Sequence, residues 1–300
     1  MTSKTILAVG AAGQFAGHVV AALSRRDARV RGLVRNSEQG NEAQRLGAAE
    51  VIIGDLRDAR SVDAALAGID AVFYIAPAFL PDEAEIGKRF VDAVRRSGAR
   101  RIVFSSVIHP VLAELPNHAA KAPVEAAILD SGLEYTLLHP TLFFQNYAAA
   151  WPKLFVSGVL AEPYSSETRF SRVDYRDVAE VAAIALLEDR LLHGTFELCA
   201  DGELNRHEVA ALIAEVIGRD VRAERIDPDT LGKEAEALRP MFAHYDHHGL
   251  VGSSLALRSI LGRAARTLRA YFEELARKSQ LGSQGARWPN EGESHAAGNE

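Results

Sequence analysis

The stretch that most constrains this chain is TILAVGAAGQFAGHVV at residues 5–20, a short β-rich run that turns through glycines into a helical pattern. Gly10, Gly13 and Gly17 stand in a G-x-x-G-x-x-G arrangement. The first permits a tight turn, the second lets the backbone approach a pyrophosphate, and the third allows close helix–strand packing. The helix N-terminus that follows offers N–H groups and the positive end of its dipole to an anion. Such a loop signals dinucleotide binding when it joins a strand to a helix at the start of a βαβ unit, as this one does. Gly10, Ala11, Gly13, Gln14 and Phe15 are the expected loop contacts.

The first half repeats this unit. β-rich runs at Thr5–Val9, Val30–Val34, Val51–Ile53, Ala71–Ile75, Ile102–Ser105 and Tyr135–Leu138 alternate with amphipathic stretches at Phe15–Leu23, Glu42–Leu46, Val62–Leu66, Glu83–Arg96 and Ala119–Leu129. Such alternation predicts a parallel sheet covered on both faces. The strands are continuous apolar runs, as doubly buried strands should be. The expected fold is therefore α/β, a doubly wound, Rossmann-type parallel sheet over residues 1–140. A smaller C-terminal α/β lobe over 141–278 is expected to pack on it as the substrate lobe. Helical patterns at Val178–Leu187, Glu208–Ile217 and Ala264–Arg277 and short strands near Phe196–Leu198 and Val221–Ile226 build that lobe, and Ser157–Glu167 reads as turn and loop. Residues 279–300, rich in Gly, Ser, Asn and Glu, read as a disordered tail.

Composition narrows the function classes. At 300 residues, 48% hydrophobic and 25% charged, the chain is an ordinary globular protein with a core of its own. A formal net charge of −6 argues against a nucleic-acid or anionic-membrane partner, which would need clustered Lys and Arg. The single cysteine, Cys199, excludes a disulfide framework and a cysteine-rich metal site. No apolar run approaches the roughly 18 residues that span a bilayer. The opening residues carry no signal-peptide pattern, so a cytoplasmic protein with a small-molecule substrate, monomeric or homodimeric, is expected.

The second strand ends at Val34, followed by Arg35, Asn36 and Ser37. An NAD-binding chain usually places an acid about 20 residues after the glycines to hold the ribose hydroxyls, whereas an arginine there suits a 2′-phosphate. Arg35, with Asn36 and Ser37 as added donors, therefore predicts NADP(H) rather than NAD(H).

Several further segments occur in order: LVRN, GDLRDARSV, IVFSSV, KAPVEAAILDSGLEYTLLHP, YRDVAEVAAIALLE, His248-Gly249 and LGRAARTLRAYF. With the glycine loop they make the chain resemble, over about residues 5–275, the NmrA-like branch of the atypical short-chain dehydrogenases/reductases. The resemblance implies that Asp55 and Leu56 lie beside the adenine, and that Ala76 and Pro77 lie along the pyrophosphate and ribose. It places Ser105 and Ser106 near the nicotinamide, and makes Lys121 the lysine that touches the nicotinamide ribose and assists proton transfer. The general-acid tyrosine of ordinary short-chain dehydrogenases, four residues before that lysine, is Asn117 here, and an amide cannot serve as that acid. The arginine that usually precedes the proline after strand six is His139. Relatives of this type include reductases and proteins that bind NADP without turnover.

Other residues keep two readings. His118 could replace the missing acid, since imidazole titrates near neutrality, or be a polar residue at a helix start. Lys121, with Ala119, Ala120, Ala122 and Pro123 around it, has no local partner for its charge. Phe143, Phe144, Tyr147 and Trp151 recur at helical spacing and are either core or the wall of a flat, apolar substrate site. In His244-Tyr-Asp-His247-His248, helical i, i+3 spacing could bring two imidazoles together but no third ligand is nearby, so a structural role is expected and no metal. Asp177 reads as the N-cap of the helix that follows, and the Glu83–Arg96 charges as a solvated face. Catalysis is expected at Lys121, Ser106 and His118, with hydride passing from NADPH to a quinone or enone. The alternative is a non-catalytic NADP(H) sensor.

Overall fold

The computed structural model describes residues 4–77 and 79–285. Strands run β1 (Thr5–Val9), β2 (Arg29–Val34), β3 (Glu50–Ile53), β4 (Ala71–Ile75), β5 (Arg101–Ser105), β6 (Glu134–Pro140), β7 (Leu142–Phe143), β8 (Val159–Glu162), β9 (Phe170–Val173), β10 (Gly194–Leu198), β11 (Glu203–Leu204) and β12 (Arg222–Arg225). Helices run α1 (Ala16–Ser24), α2 (Ser37–Arg45), α3 (Ala59–Leu66), α4 (Glu83–Ser97), α5 (Pro116–Ala119), α6 (Ala122–Leu129), α7 (Tyr147–Ser157), α8 (Tyr175–Leu187), α9 (Arg206–Ile217), α10 (Arg239–Tyr245), α11 (Leu255–Leu261) and α12 (Leu268–Gly285).

Seven strands form one parallel sheet in the order β10-β6-β5-β4-β1-β2-β3. Alternate residues of its continuous apolar strands feed two cores. Ile6, Ala8, Phe73 and Val103 face α1 and α8. Leu7, Val72, Tyr74 and Phe104 face α3, α4 and α6. The strand order reverses between β1 and β4, and ligands of open α/β sheets bind beyond the carboxyl ends of the strands at that reversal. Gly10 follows β1 there, and Ala76 and Pro77 follow β4. Among the described residues, no helix is long and apolar enough to cross a membrane.

Several expectations need correction. The strand read near Phe196–Leu198 does not build a second lobe; as β10 it pairs with β6 in the main sheet, and α8 packs against α1 on that sheet. The sheet thus draws on chain beyond residue 140. Parallel pairing joins strands distant in sequence, so the position of a strand along the chain does not reveal its sheet. The loop read at 157–167 contains β8, a four-residue strand that pairs with β12 and is too short to show a period. α2 begins at Ser37 rather than Glu42 because the Asn36 side chain caps it, accepting the Gln39 N–H at 2.9 Å. α12 begins at Leu268 and continues through Gly285, into the expected tail; the rest of that tail, 286–300 with Trp288, lies outside the described residues.

Asp177 is not an N-cap. Asp174 is, with extended backbone (φ −75°, ψ 123°) and its carboxylate accepting the Arg176 N–H. Asp177 lies one turn inside, fully buried, paired with Arg263 and Arg266. At the other end of α8, the buried Arg101 guanidinium takes the Ala185, Leu186 and Glu188 carbonyls that the helix cannot satisfy itself.

Candidate functional site

A groove opens at the strand-order reversal. Gly10 has φ +66°, a conformation glycine adopts without a Cβ penalty, and its N–H donates to the Leu33 carbonyl at 2.9 Å. The Gly13 N–H closes a tight turn on the Gly10 carbonyl at 2.7 Å. α1 then starts at Ala16 with no side chain capping its N-terminus, which leaves that end of the dipole to an anion. A Cβ on Gly17 would sit 2.8 Å from Leu46 Cδ1, so the third glycine makes room for the residue closing α2, not for a strand.

The groove is a cavity of about 460 Å³. Gly10, Gly13, Gln14, Phe15, Arg35, Asp55, Leu56, Ala76 and Pro77 all line it. Three expected contacts do not. Ala11 is fully buried behind the loop, its methyl against Gly32. Asn36 is engaged in capping α2, whose first residue is Ser37. Gln39 and Arg57 also line the groove and were not foreseen. Gln39 accepts the Arg35 N–H at 3.0 Å, and Arg57 forks onto Asp82 at 2.7 and 2.9 Å. The Asn36-x-x-Gln39 spacing, a helix-start pattern, was the available signal for Gln39.

Phe15, Ile75 and Ala76 are shared with a second cavity of about 550 Å³, so groove and chamber are continuous. Ser105, Ser106, Asn117, His118 and Lys121 line the chamber on one side, and Phe143 and Tyr147 on the other. Lys121 is buried, and its ammonium is bound by Glu83, whose second oxygen accepts the Phe79 N–H at 3.1 Å. Glu83 is thus not part of a solvated face: it is 1% exposed and holds a charge from another helix. Ser106 Oγ donates to Glu125, and His139 Nε2 donates to the same carboxylate oxygen at 2.9 Å. Ser105 Oγ pairs with the Tyr175 hydroxyl at 2.9 Å.

The aromatic stripe splits between its two readings. Phe143 faces the chamber, its ring 4.5 Å from that of Phe15 and 4.9 Å from that of Tyr175, and Tyr147 lines it further along. Phe144 and Trp151 are core, against Tyr271 and Phe272, and do not reach the chamber. Gln145 fixes this wall: its amide donates to Asp174 at 2.9 Å and its side-chain oxygen accepts the Tyr175 N–H at 2.9 Å. Its carbonyl takes the Gln14 side chain of the glycine loop at 3.1 Å. Met241, Tyr245 and Leu250 close the far end. Gly249 has no alternative, because a Cβ there would lie 1.7 Å from the Arg169 carbonyl oxygen. Among the described residues, no group of three His, Cys, Asp or Glu could hold a metal. Burial pushes the Cys199 thiol up to about 12, which leaves it inert.

His118 is fully buried. Its Nδ1 sits 3.1 Å from the His109 carbonyl, which can only accept, so Nδ1 carries the proton. Nε2 has no partner, nor has Asn117 Oδ1; both residues line the chamber, but these two atoms are enclosed. Burial above all, with the Lys121 charge, holds the ring below its ordinary 6.5. At neutral pH His118 is therefore neutral and offers a lone pair rather than a proton. The unfolded chain takes up a proton near 6.5 that the folded ring refuses, so stability is present above that value and falls as pH drops toward the folded pKa. The expected slope is up to about 1.4 kcal/mol per pH unit from this proton. His18, also lowered by burial, adds in the same direction. Denaturant unfolding at a series of pH values should show this slope reduced, not abolished, in His118→Gln.

Comparison with known proteins agrees with this architecture. The chain matches the NmrA-like family over residues 2–274. It is 27% identical over 288 residues to the NAD(P)H azoreductase of Xenophilus azovorans, covering 89% of this chain and 96% of that one. The fold is similar to that of the NADPH-dependent quinone oxidoreductase of Escherichia coli crystallised with NADPH (TM-score 0.80, 22% identity, 90% of this chain and 99% of that one). It is also similar to that of NmrA, a negative transcriptional regulator crystallised with NADP (TM-score 0.78, 18% identity, 94% and 98%).

Proposed function

This chain belongs to the NmrA-like family, and from that premise we propose that it is an NADPH-dependent oxidoreductase passing hydride to a small, flat acceptor such as a quinone or enone. The observation that carries the reading is the continuity of the phosphate groove with an aromatic-walled chamber through Phe15, Ile75 and Ala76. The azoreductase and quinone oxidoreductase relatives support it. The residues present fit the cofactor: Gly13 keeps the groove floor bare, and the N-terminus of α1 beside it has no side-chain cap. Gly10, Gly13 and the α1 N-terminus would hold the pyrophosphate, Arg35 the 2′-phosphate, and Asp55 and Leu56 the adenosine.

When bound, the nicotinamide supplies the hydride. Lys121, fixed by Glu83, would hold the ribose, and Phe15 and Phe143 would press the acceptor flat, so orientation is the protein's main contribution. Ser106 gives its one hydroxyl proton to Glu125, so it would have to leave that carboxylate before it could donate to an acceptor oxygen. With an amide at residue 117, a quinone suits the site because its reduced form takes its proton from solvent. Mixing the protein and NADPH with a panel of quinones, enones and aldehydes should consume nicotinamide absorbance; no loss above buffer across the panel sinks the proposal. In that event the second reading, an NADP(H) sensor, is favoured by Asn117 and by the likeness to NmrA. It requires different affinities for two states, visible as a change in proteolysis or sedimentation on adding NADP.

Cofactor choice gives a separate expected result. Arg35 lines the groove at the end of β2. A charge-assisted contact to phosphate is worth about 1.5–3 kcal/mol, with screening holding an exposed one to the lower end. NADPH should bind at least about tenfold tighter than NADH. Arg35→Ala should erase most of that preference and leave NADH affinity nearly unchanged; calorimetry on both proteins decides it.

A further inference from the structure

The chamber has a charged end that hydride transfer to a neutral quinone does not require. Arg172, on β9, is 6% exposed and lines the chamber. Its Nη1 donates to the Phe170 carbonyl at 3.0 Å and the Leu204 carbonyl at 2.8 Å, and its guanidinium lies 5.7 Å from the Phe170 ring centroid. Its protein acceptors are these carbonyls and the Tyr147 hydroxyl oxygen, all uncharged, and among the described residues no carboxylate lies within ion-pair distance of it. The other two buried arginines among the described residues differ: Arg101 is paired with Glu134 and Asp189, and Arg206 with Glu162. A buried charge is costly unless paired.

The groups around it leave the charge uncancelled. Glu162 lines the same chamber but is held by Arg206 at 3.2 Å and takes the Tyr164 hydroxyl. The Tyr147 hydroxyl oxygen accepts from Arg172, and burial keeps that hydroxyl protonated, so its own proton can be donated. At the opposite end Lys121 is neutralised by Glu83. The chamber therefore presents one unpaired guanidinium with a tyrosine hydroxyl beside it and apolar walls between.

We propose that Arg172 anchors an anionic substituent of the acceptor, so that the preferred substrates are flat aromatic or quinonoid molecules bearing a carboxylate or sulfonate. Planar oxyanions match the guanidinium fork. This deepens the reductase reading and rests on it for the word substrate, but the anion site itself is testable without turnover.

The probes are 2-naphthoate and the isosteric 2-naphthamide, neither of which accepts hydride, titrated calorimetrically into the NADP-saturated protein. The carboxylate should bind at least about tenfold tighter than the amide, from the net worth of a charge-assisted contact. In Arg172→Gln the two should bind alike, with amide affinity near that of wild type; Arg172→Lys should restore part of the preference. Equal affinities in the wild-type protein overturn the proposal, and that comparison needs no variant to fold. A preference that survives in folded Arg172→Gln overturns it too, because another cation then holds the anion. If the probes behave as expected and no acceptor consumes NADPH, the anion site stands and the reductase reading falls.

Discussion

Glu83→Ala is expected to destabilise the fold by about 3 kcal/mol, the low end of the 3–5 kcal/mol typical when one partner of a buried ion pair is removed. The carboxylate is 1% exposed, and its two oxygens take the Lys121 ammonium and the Phe79 N–H. Alanine strands both donors. Because Lys121 lines the chamber, its ammonium recovers some water, which sets the loss at the low end. Against a total of about 5–15 kcal/mol for a typical domain, a loss of this size is large. The double variant Glu83→Met/Lys121→Met should regain most of it, since apolar residues of similar volume often replace a buried pair at little cost. Denaturant midpoints measure both. A loss below about 1 kcal/mol in the single variant would mean that Lys121 is solvated without its partner. If the double variant is stable but binds NADPH more weakly than wild type, the lysine serves the ligand and the glutamate serves the lysine.

That pair also marks where the sequence becomes uninformative. The strands and the glycine turn were legible because doubly buried strands are continuous apolar runs and the turn needs glycine at fixed places; β1 and β4 match residue for residue. Glu83 was misread because an acid in the first turn of an amphipathic helix looks like a solvated complement to the dipole. Its partner lies 38 residues on, and nothing in either local pattern refers to the other. The same holds for Asp177, whose partners Arg263 and Arg266 come 86 and 89 residues later. Asp174 and Asp177 both precede an apolar run, and only the backbone at Asp174, extended rather than helical, decides which of them caps. Arg172 carried no sequence signal either. Its lack of a carboxylate becomes visible only when the chamber assembles, from the loop after β5, the turn after β6, β9 and the segment around Tyr245. Local rules located the glycine-lined groove, while the chamber, built from distant segments, depended on the fold.

Gly13→Val should lower NADPH affinity at least about 100-fold, equivalent to about 2.7 kcal/mol, while leaving the thermal midpoint within a few degrees of wild type. A Cβ on Gly13 would sit 3.0 Å from the Gly10 carbonyl oxygen and meets no other atom within 4 Å. The tight turn must give by a few tenths of an ångström at that backbone oxygen, but the rest of the added side chain stands in open groove rather than in core, which keeps the cost to the fold small. It also occupies the floor that backbone N–H groups and the α1 N-terminus would offer to a pyrophosphate, so the anion is held away from them. Gly17→Ala is the contrasting case: its methyl meets Leu46 at 2.8 Å, inside the packing between α1 and the end of α2. That variant should lose stability, about 1–3 kcal/mol by overpacking, with NADPH affinity little changed. Calorimetric titration and thermal unfolding of the two variants separate a glycine kept for the ligand from one kept for the fold. If Gly13→Val binds NADPH as wild type does, the dinucleotide does not lie along this turn, and the glycine serves only the tight turn from β1 into α1.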